Sequence, residues 1–124
     1  MSIYLAVGIG GMAGAVARYA VSILIVAGSG FPFATLLVNL TGCFLLSFLF
    51  NQSKIKSILS RNVFTALGTG LLGSFTTFST FTIETIKLWH EHPGLAITYS
   101  IISVVGGLLF CYAGFRTAGK QVDR

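Results

Sequence analysis

The chain has 124 residues, 54% of them hydrophobic and only 9% charged, with a net charge of +5 and a mean hydropathy of +0.87. A soluble domain carries about 25% charged residues, so this composition excludes a water-soluble globular protein and makes the bilayer the solvent. A helix needs about 20 apolar residues to cross the hydrocarbon core. Stretches of that kind run from Ile3 to Ala27, Phe31 to Phe50, Val63 to Trp89 and Gly94 to Phe115. They predict an all-α membrane protein of four transmembrane helices, with residues 1–124 forming a single transmembrane domain.

The first stretch has no basic residue before it, and its one charge, Arg18, lies deep inside. It therefore reads as a retained span and not as a signal peptide. Within "GIGGMAGA", Gly10 and Gly14, with Gly11 and Ala15 one step round, are small residues at helical spacing that let helices approach closely. Packing within the chain and packing against another chain both fit that pattern. Four helices enclose little, so function is expected to need a second copy or a related chain. Gly28, Ser29, Gly30 and Pro32 make the first turn.

The second span, "ATLLVNLTGCF", sets Asn39 in the middle of hydrocarbon. Its amide offers two N–H donors, which can bind helices together or serve a passing solute. Cys43 here and Cys111 in the fourth span have no metal-type spacing, so both read as small buried hydrophobes, with no disulfide expected. A short linker, Gln52 to Ser60, carries Lys54 and Lys56.

The third span is the unusual one. "GTGLLGSFTTFSTFTIET", from Gly68 to Thr85, is rich in glycine and hydroxyls where its neighbours are plain hydrocarbon. Gly68, Gly70 and Gly73 followed by Ser74, Thr76 and Thr77 are a poor recipe for an uninterrupted helix. Spacing alone leaves a continuous helix with glycine packing contacts and a broken helix equally open. A break in lipid must be buried in protein or do work, because each unpaired backbone group costs several kcal/mol. Broken spans can present carbonyls to cations and helix N-termini to anions, and the carbonyls of Gly73 and Thr76 stand where they could share one site. Phe75, Phe78 and Phe81 recur every third residue beside Thr76, Thr80 and Glu84 at every fourth, giving an aromatic and a polar stripe. Such rings pack, or turn positively polarised edges toward an anion.

Glu91, His92, Pro93 and Gly94 form the third linker. "HEH" at His90 to His92 is a weak metal signal and reads as interfacial residues. In the fourth span, Tyr99 and Ser103 are polar neighbours one helical turn apart. The basic residues Lys54, Lys56, Arg61, Arg116, Lys120 and Arg124 all flank span ends that an even number of crossings puts on one side, with Lys87 on the other. Positive residues gather on the cytoplasmic face, so both termini are predicted inside. The net charge reports topology and not a nucleic-acid partner.

"GGMAGAVARY" in the first span, "VNLTG" in the second and "GLLGSFTTFSTFTIE" in the third closely resemble the Fluc/CrcB family of bacterial fluoride channels, and the resemblance covers all four spans in order. It implies an antiparallel, dual-topology dimer in the bacterial plasma membrane, with two pores, a broken third helix in each protomer and a structural, non-transported sodium ion (Na+) at the dimer centre. It implies no catalytic group and no enzyme activity. Gly73 and Thr76 match the positions whose backbone carbonyls hold the sodium. Phe78 and Phe81 match the aromatic pair whose ring edges face fluoride, and Asn39 matches the pore asparagine. Ser79 and Thr80, with Tyr99 and Ser103, match the polar track beside it. Arg18 and Glu84 match recurring positions of structural or vestibule character. The strong positive bias departs from the weak bias that dual insertion needs, so an inverted paralogue stands beside an inverted second copy as the partner. The resemblance implies passive fluoride export that lowers fluoride toxicity.

Three other readings compete. A four-helix multidrug exporter resembles a family with an essential first-span glutamate, where this chain has Arg18 and no carboxylate. A proton-coupled small-ion exporter would have to use Glu84, which sits at helical spacing from Lys87 and reads as half of a structural ion pair. A noncatalytic membrane assembly subunit would tolerate aliphatic residues at Phe78 and Phe81.

Overall fold

The computed structural model describes residues 1–25, 28 and 30–120. The predicted span end at Ala27, the turn residue Ser29 and the flanking Arg124 lie outside the described residues. Helix α1 (Ile3–Leu24) starts at Ser2, whose hydroxyl accepts the N–H of Leu5 at 3.3 Å, satisfying one of the donors a helix start leaves free. Helix α2 (Phe33–Asn51) begins directly after Pro32. The second predicted span thus loses Phe31 and Pro32 from its helix.

Three helices among the described residues are long and apolar enough to cross a membrane: α1, α2 and the 28-residue helix Pro93–Lys120. The last starts on a proline, whose fixed φ and missing N–H suit a first helical position. It also outruns its predicted end at Phe115 by more than a turn. Thr98, Ser100 and Thr117 in it each donate a hydroxyl to the carbonyl four residues earlier, at 2.9, 2.9 and 2.7 Å. Their polar atoms are satisfied within the helix and cost nothing in an apolar medium.

The stretch predicted as the third span is divided. After α3 (Ser53–Ile58) come α4 (Arg61–Thr65), a π-helical segment Ala66–Leu72, the single turn α5 (Gly73–Phe75) and, after three non-helical residues, α6 (Ser79–Glu91). The long helix that follows is α7. Glycine explains where the π segment sits. A Cβ on Gly10 would overlap the Ala66 carbonyl, one on Gly14 the Leu71 carbonyl, and one on Gly70 the Val7 carbonyl. Backbone therefore lies directly on backbone between α1 and this segment. Of the two readings of Gly10 and Gly14, the structure uses packing within the chain.

The contacts set the directions of the elements. Asn62 donates to the Met1 carbonyl at 2.7 Å and Arg18 to the Ser74 carbonyl at 3.1 Å, so α1 runs parallel to the α4–α5 stretch. Ser47 donates to the Cys111 carbonyl at 2.7 Å, and Gly114 lies against the backbone of Phe44 and Phe48. Helix α2 thus runs parallel to the C-terminal part of α7. Where α6 meets α7, Leu88, Ala96 and Tyr99 form a buried cluster packed by Phe31, Leu36 and Phe81. Most other large apolar side chains point outward, Tyr4 (86% exposed) and Leu24 (82%) among them.

Candidate functional site around the helix interruption

Helical backbone stops at Phe75, and Thr76 is extended with φ −76° and ψ 159°. An interruption leaves backbone groups needing partners, and side chains from two other helices supply most of them. Asn39 on α2 grips Thr77 twice, donating from Nδ2 to its carbonyl at 2.9 Å and accepting its N–H on Oδ1 at 2.8 Å. Arg18 Nε holds the Ser74 carbonyl. Thr77 Oγ1 accepts the N–H of Thr80 at 3.2 Å and so caps the restarted helix, while donating to Thr80 Oγ1 at 3.1 Å. Thr76 Oγ1 turns back to the carbonyls of Leu72 at 3.1 Å and Gly73 at 3.4 Å. Among the described residues, the carbonyl of Thr76 receives no backbone N–H.

Two cavities flank this interruption. A groove of about 670 Å³ is lined by Asn39, Gly73, Thr76, Phe78, Phe81 and Ser103, and extends past Cys43 and Cys111 to Asn51 at the end of α2. A second cavity of about 680 Å³ lies on the other side, against Arg18, Tyr19, Thr35, Thr80 and Glu84. Thr77 lines both. The Asn39–Thr77 pair is therefore part of the wall between them.

The groove carries donors that the chain itself leaves unused. Ser103 Oγ is buried and, among the described residues, has no hydrogen-bond partner. Among the described residues only one of the two amide hydrogens on Asn39 is taken, by the Thr77 carbonyl. Phe78 is 79% exposed, with its ring centroid 5.9 Å from that of Phe81 and the planes 40° apart. Free N–H and O–H groups beside aromatic edges suit an anion and repel cations.

The remaining sequence-predicted residues fall elsewhere. Thr80 faces the second cavity. Ser79 is exposed, its Oγ 3.3 Å from Thr77 Oγ1. Tyr99 is fully buried (0% exposed) behind Phe81, ring centroids 5.2 Å apart, and lines neither cavity. Its hydroxyl donates to Glu84 Oε2 at 2.9 Å, while Thr35 donates to Oε1 at 2.8 Å. This corrects the expected ion pair with Lys87: the Glu84 carboxylate is held by two hydroxyls, one from α2 and one from α7. Thr77 and Thr35 were not singled out by their spacing. Thr77 is one hydroxyl among several in its motif, and Thr35 acquires meaning only from the fold that brings α2 against α6.

A family model described as "CrcB-like protein, Camphor Resistance (CrcB)" matches residues 5–115. The chain is 46% identical to "Fluoride-specific ion channel FluC 1" of Desulfitobacterium hafniense (strain Y51), over 91% of this chain and 99% of the relative. It is 46% identical to the protein of the same name from Bacillus anthracis, over 91% of this chain and 85% of the relative. It is 43% identical to "Fluoride-specific ion channel FluC 2" of Listeria innocua serovar 6a (strain ATCC BAA-680 / CLIP 11262), over 98% of this chain and 94% of the relative.

Proposed function

The chain belongs to the CrcB family, and from that premise we propose that it is a fluoride-selective channel through which cytoplasmic fluoride leaves a bacterial cell down its electrochemical gradient. The observation that carries this reading is its 46% identity to a named fluoride-specific channel over 91% of its length. The groove beside the interruption gives that reading a chemistry. Fluoride is small and strongly hydrated, so it enters only where donors replace its lost water without holding it too tightly to leave. The second N–H of Asn39 and the hydroxyl of Ser103, both without a partner among the described residues, are such donors, and the ring edges of Phe78 and Phe81 add diffuse positive potential. Of the other residues that the resemblance implies for the polar track, Thr80 lines the second cavity, Ser79 is exposed, and Tyr99 is buried behind Phe81 with its hydroxyl on Glu84, so in this reading Asn39 and Ser103 carry the groove's donors.

In the proposed assembly the α4–α6 stretch is the third of four crossings, both termini are cytoplasmic in the favoured orientation, and the chain packs in the bilayer against an inverted one, a copy or a paralogue. Lys54 and Lys56 lie in α3 and Arg61 opens α4, Arg116 and Lys120 lie at the end of α7, and Lys87 lies near the far end of α6, which supports that orientation. Sodium fits the donor set at the interruption. Among the described residues the Thr76 carbonyl receives no backbone N–H, and the Gly73 carbonyl receives only the Thr76 hydroxyl at 3.4 Å. Carbonyl oxygens are ligands for a hard cation. Two from one chain are too few to replace sodium's hydration shell, and the same pair from an inverted second chain doubles the set. Bound there, the ion would neutralise carbonyl dipoles that the interruption leaves without partners.

The test is fluoride efflux from liposomes containing the purified chain, followed with a fluoride electrode, with chloride as the control anion. Rapid efflux of fluoride and not chloride, abolished in Phe81→Ile, is the expected result. Efflux unchanged by Phe81→Ile would overturn the assigned route, and equal efflux of chloride would overturn the selectivity.

A further inference from the structure

Cys43 and Cys111 are the chain's two cysteines; both thiols are free, and neither has a part in the conduction scheme above. They meet where α2 and α7 run side by side. Cys111 Sγ points at the Cys43 carbonyl, 3.6 Å away. Cys43 Sγ lies 3.5 Å from where a Cβ on Gly107 would stand, and Gly107 is one helical turn before Cys111. That separation is ordinary van der Waals distance, so Cys43 Sγ rests against α7 one turn before Cys111. Both cysteines also line the groove that holds Asn39, Phe78, Phe81 and Ser103. Cys43 follows Asn39 by one turn of α2, and Cys111 follows Ser103 by two turns of α7. The hydroxyl of Ser47, one turn beyond Cys43 on α2, donates to the Cys111 carbonyl at 2.7 Å.

The ligand chemistry selects a narrow class of ion. Among the described residues no group of three or more His, Cys, Asp and Glu is placed to hold a metal, so a tetrahedral all-protein site of the zinc type is out of reach. Two sulfurs alone suit soft d¹⁰ cations that accept two-coordinate, linear binding. We propose that Cys43 and Cys111 form a two-thiolate site for a soft cation of the Cu⁺, Ag⁺ or Hg²⁺ class. On binding, each thiol releases its proton to water and two S–H bonds are replaced by two S–metal bonds, with no change of oxidation state. An ion held there sits on the groove wall one turn from Asn39 and obstructs it. That consequence for conduction, unlike the site itself, rests on the groove being the fluoride route.

The experiment uses the purified full chain in detergent with mercuric ion as the probe. One equivalent is expected to add one mercury to the native mass and to remove both thiols from reaction with a maleimide. The second thiol acts as a tethered ligand at high effective concentration, so Cys43→Ala and Cys111→Ala should each retain the ion against glutathione about 100-fold less well. Two mercury ions per wild-type chain, one on each thiol, would overturn the proposal, and this measurement needs no variant to fold. Retention unchanged in either single variant would overturn it as well. In liposomes, one equivalent should slow wild-type fluoride efflux about tenfold relative to its own metal-free rate, as a narrowed constriction does. A chain that carries one bridging mercury and still conducts at its metal-free rate would leave the metal site standing and refute the groove as the fluoride route.

Discussion

Replacing Asn39 by alanine tests whether the interruption is held from α2. The substitution removes a donor and an acceptor at once, leaving the Thr77 carbonyl and N–H without the partners now 2.9 and 2.8 Å away. Each unsatisfied buried backbone group costs about 1–3 kcal/mol, so the pair comes to about 2–6 kcal/mol. Measured interhelical hydrogen bonds in a membrane protein average only about 0.6 kcal/mol, because the freed groups find other partners. At Thr77 the nearest alternatives are spent: its own hydroxyl serves Thr80, and the Arg18 Nε serves Ser74. The upper range therefore applies, and we expect a loss of at least about 2 kcal/mol. Reversible unfolding in mixed micelles, read by tryptophan fluorescence and circular dichroism, measures it. A loss under about 1 kcal/mol, within the spread of ordinary point substitutions, would refute the argument that Asn39 pins the interrupted backbone.

Other outcomes follow from single contacts. Gly14→Ala drives a Cβ into the Leu71 carbonyl and should cost at least about 1–3 kcal/mol, whereas Gly8→Ala, with nothing within 4 Å of its Cβ, should be neutral or mildly stabilising by helix propensity; thermal melts in detergent separate the two. Tyr99→Phe keeps the ring contacts with Phe31 and Phe81 but removes the hydroxyl donor to Glu84, and should lower stability by about 0.5–1.5 kcal/mol in the same melts, as for one intramolecular hydrogen bond. Ser103→Ala removes a hydroxyl that no group among the described residues uses. It should leave the melting temperature unchanged or slightly raised while slowing liposomal fluoride efflux, a combination that a purely structural serine would not give.

Much of this protein is legible in its sequence, for reasons of solvent. In hydrocarbon the backbone must satisfy itself, so a long apolar run has essentially one conformation open to it, and α1, α2 and α7 follow directly from composition. The glycines and hydroxyls between Gly68 and Thr85 likewise mark where that rule is under strain, and the resemblance of the same motif to a channel family named the function class. Residue identity could not say how the strain is relieved. Asn39, an amide in the middle of the apolar span α2, becomes the partner of Thr77 only when α2 lies across the interruption. Glu84, read beside Lys87 on its own helix, instead takes hydroxyls from Thr35 and Tyr99, because those two helices reach it first in the fold. Gly10 and Gly14 are equally suited to any close partner, and it is the π segment of their own chain that occupies them. Local spacing determines which face a side chain is on. Which group meets it there depends on elements tens of residues away, and only their packing decides that.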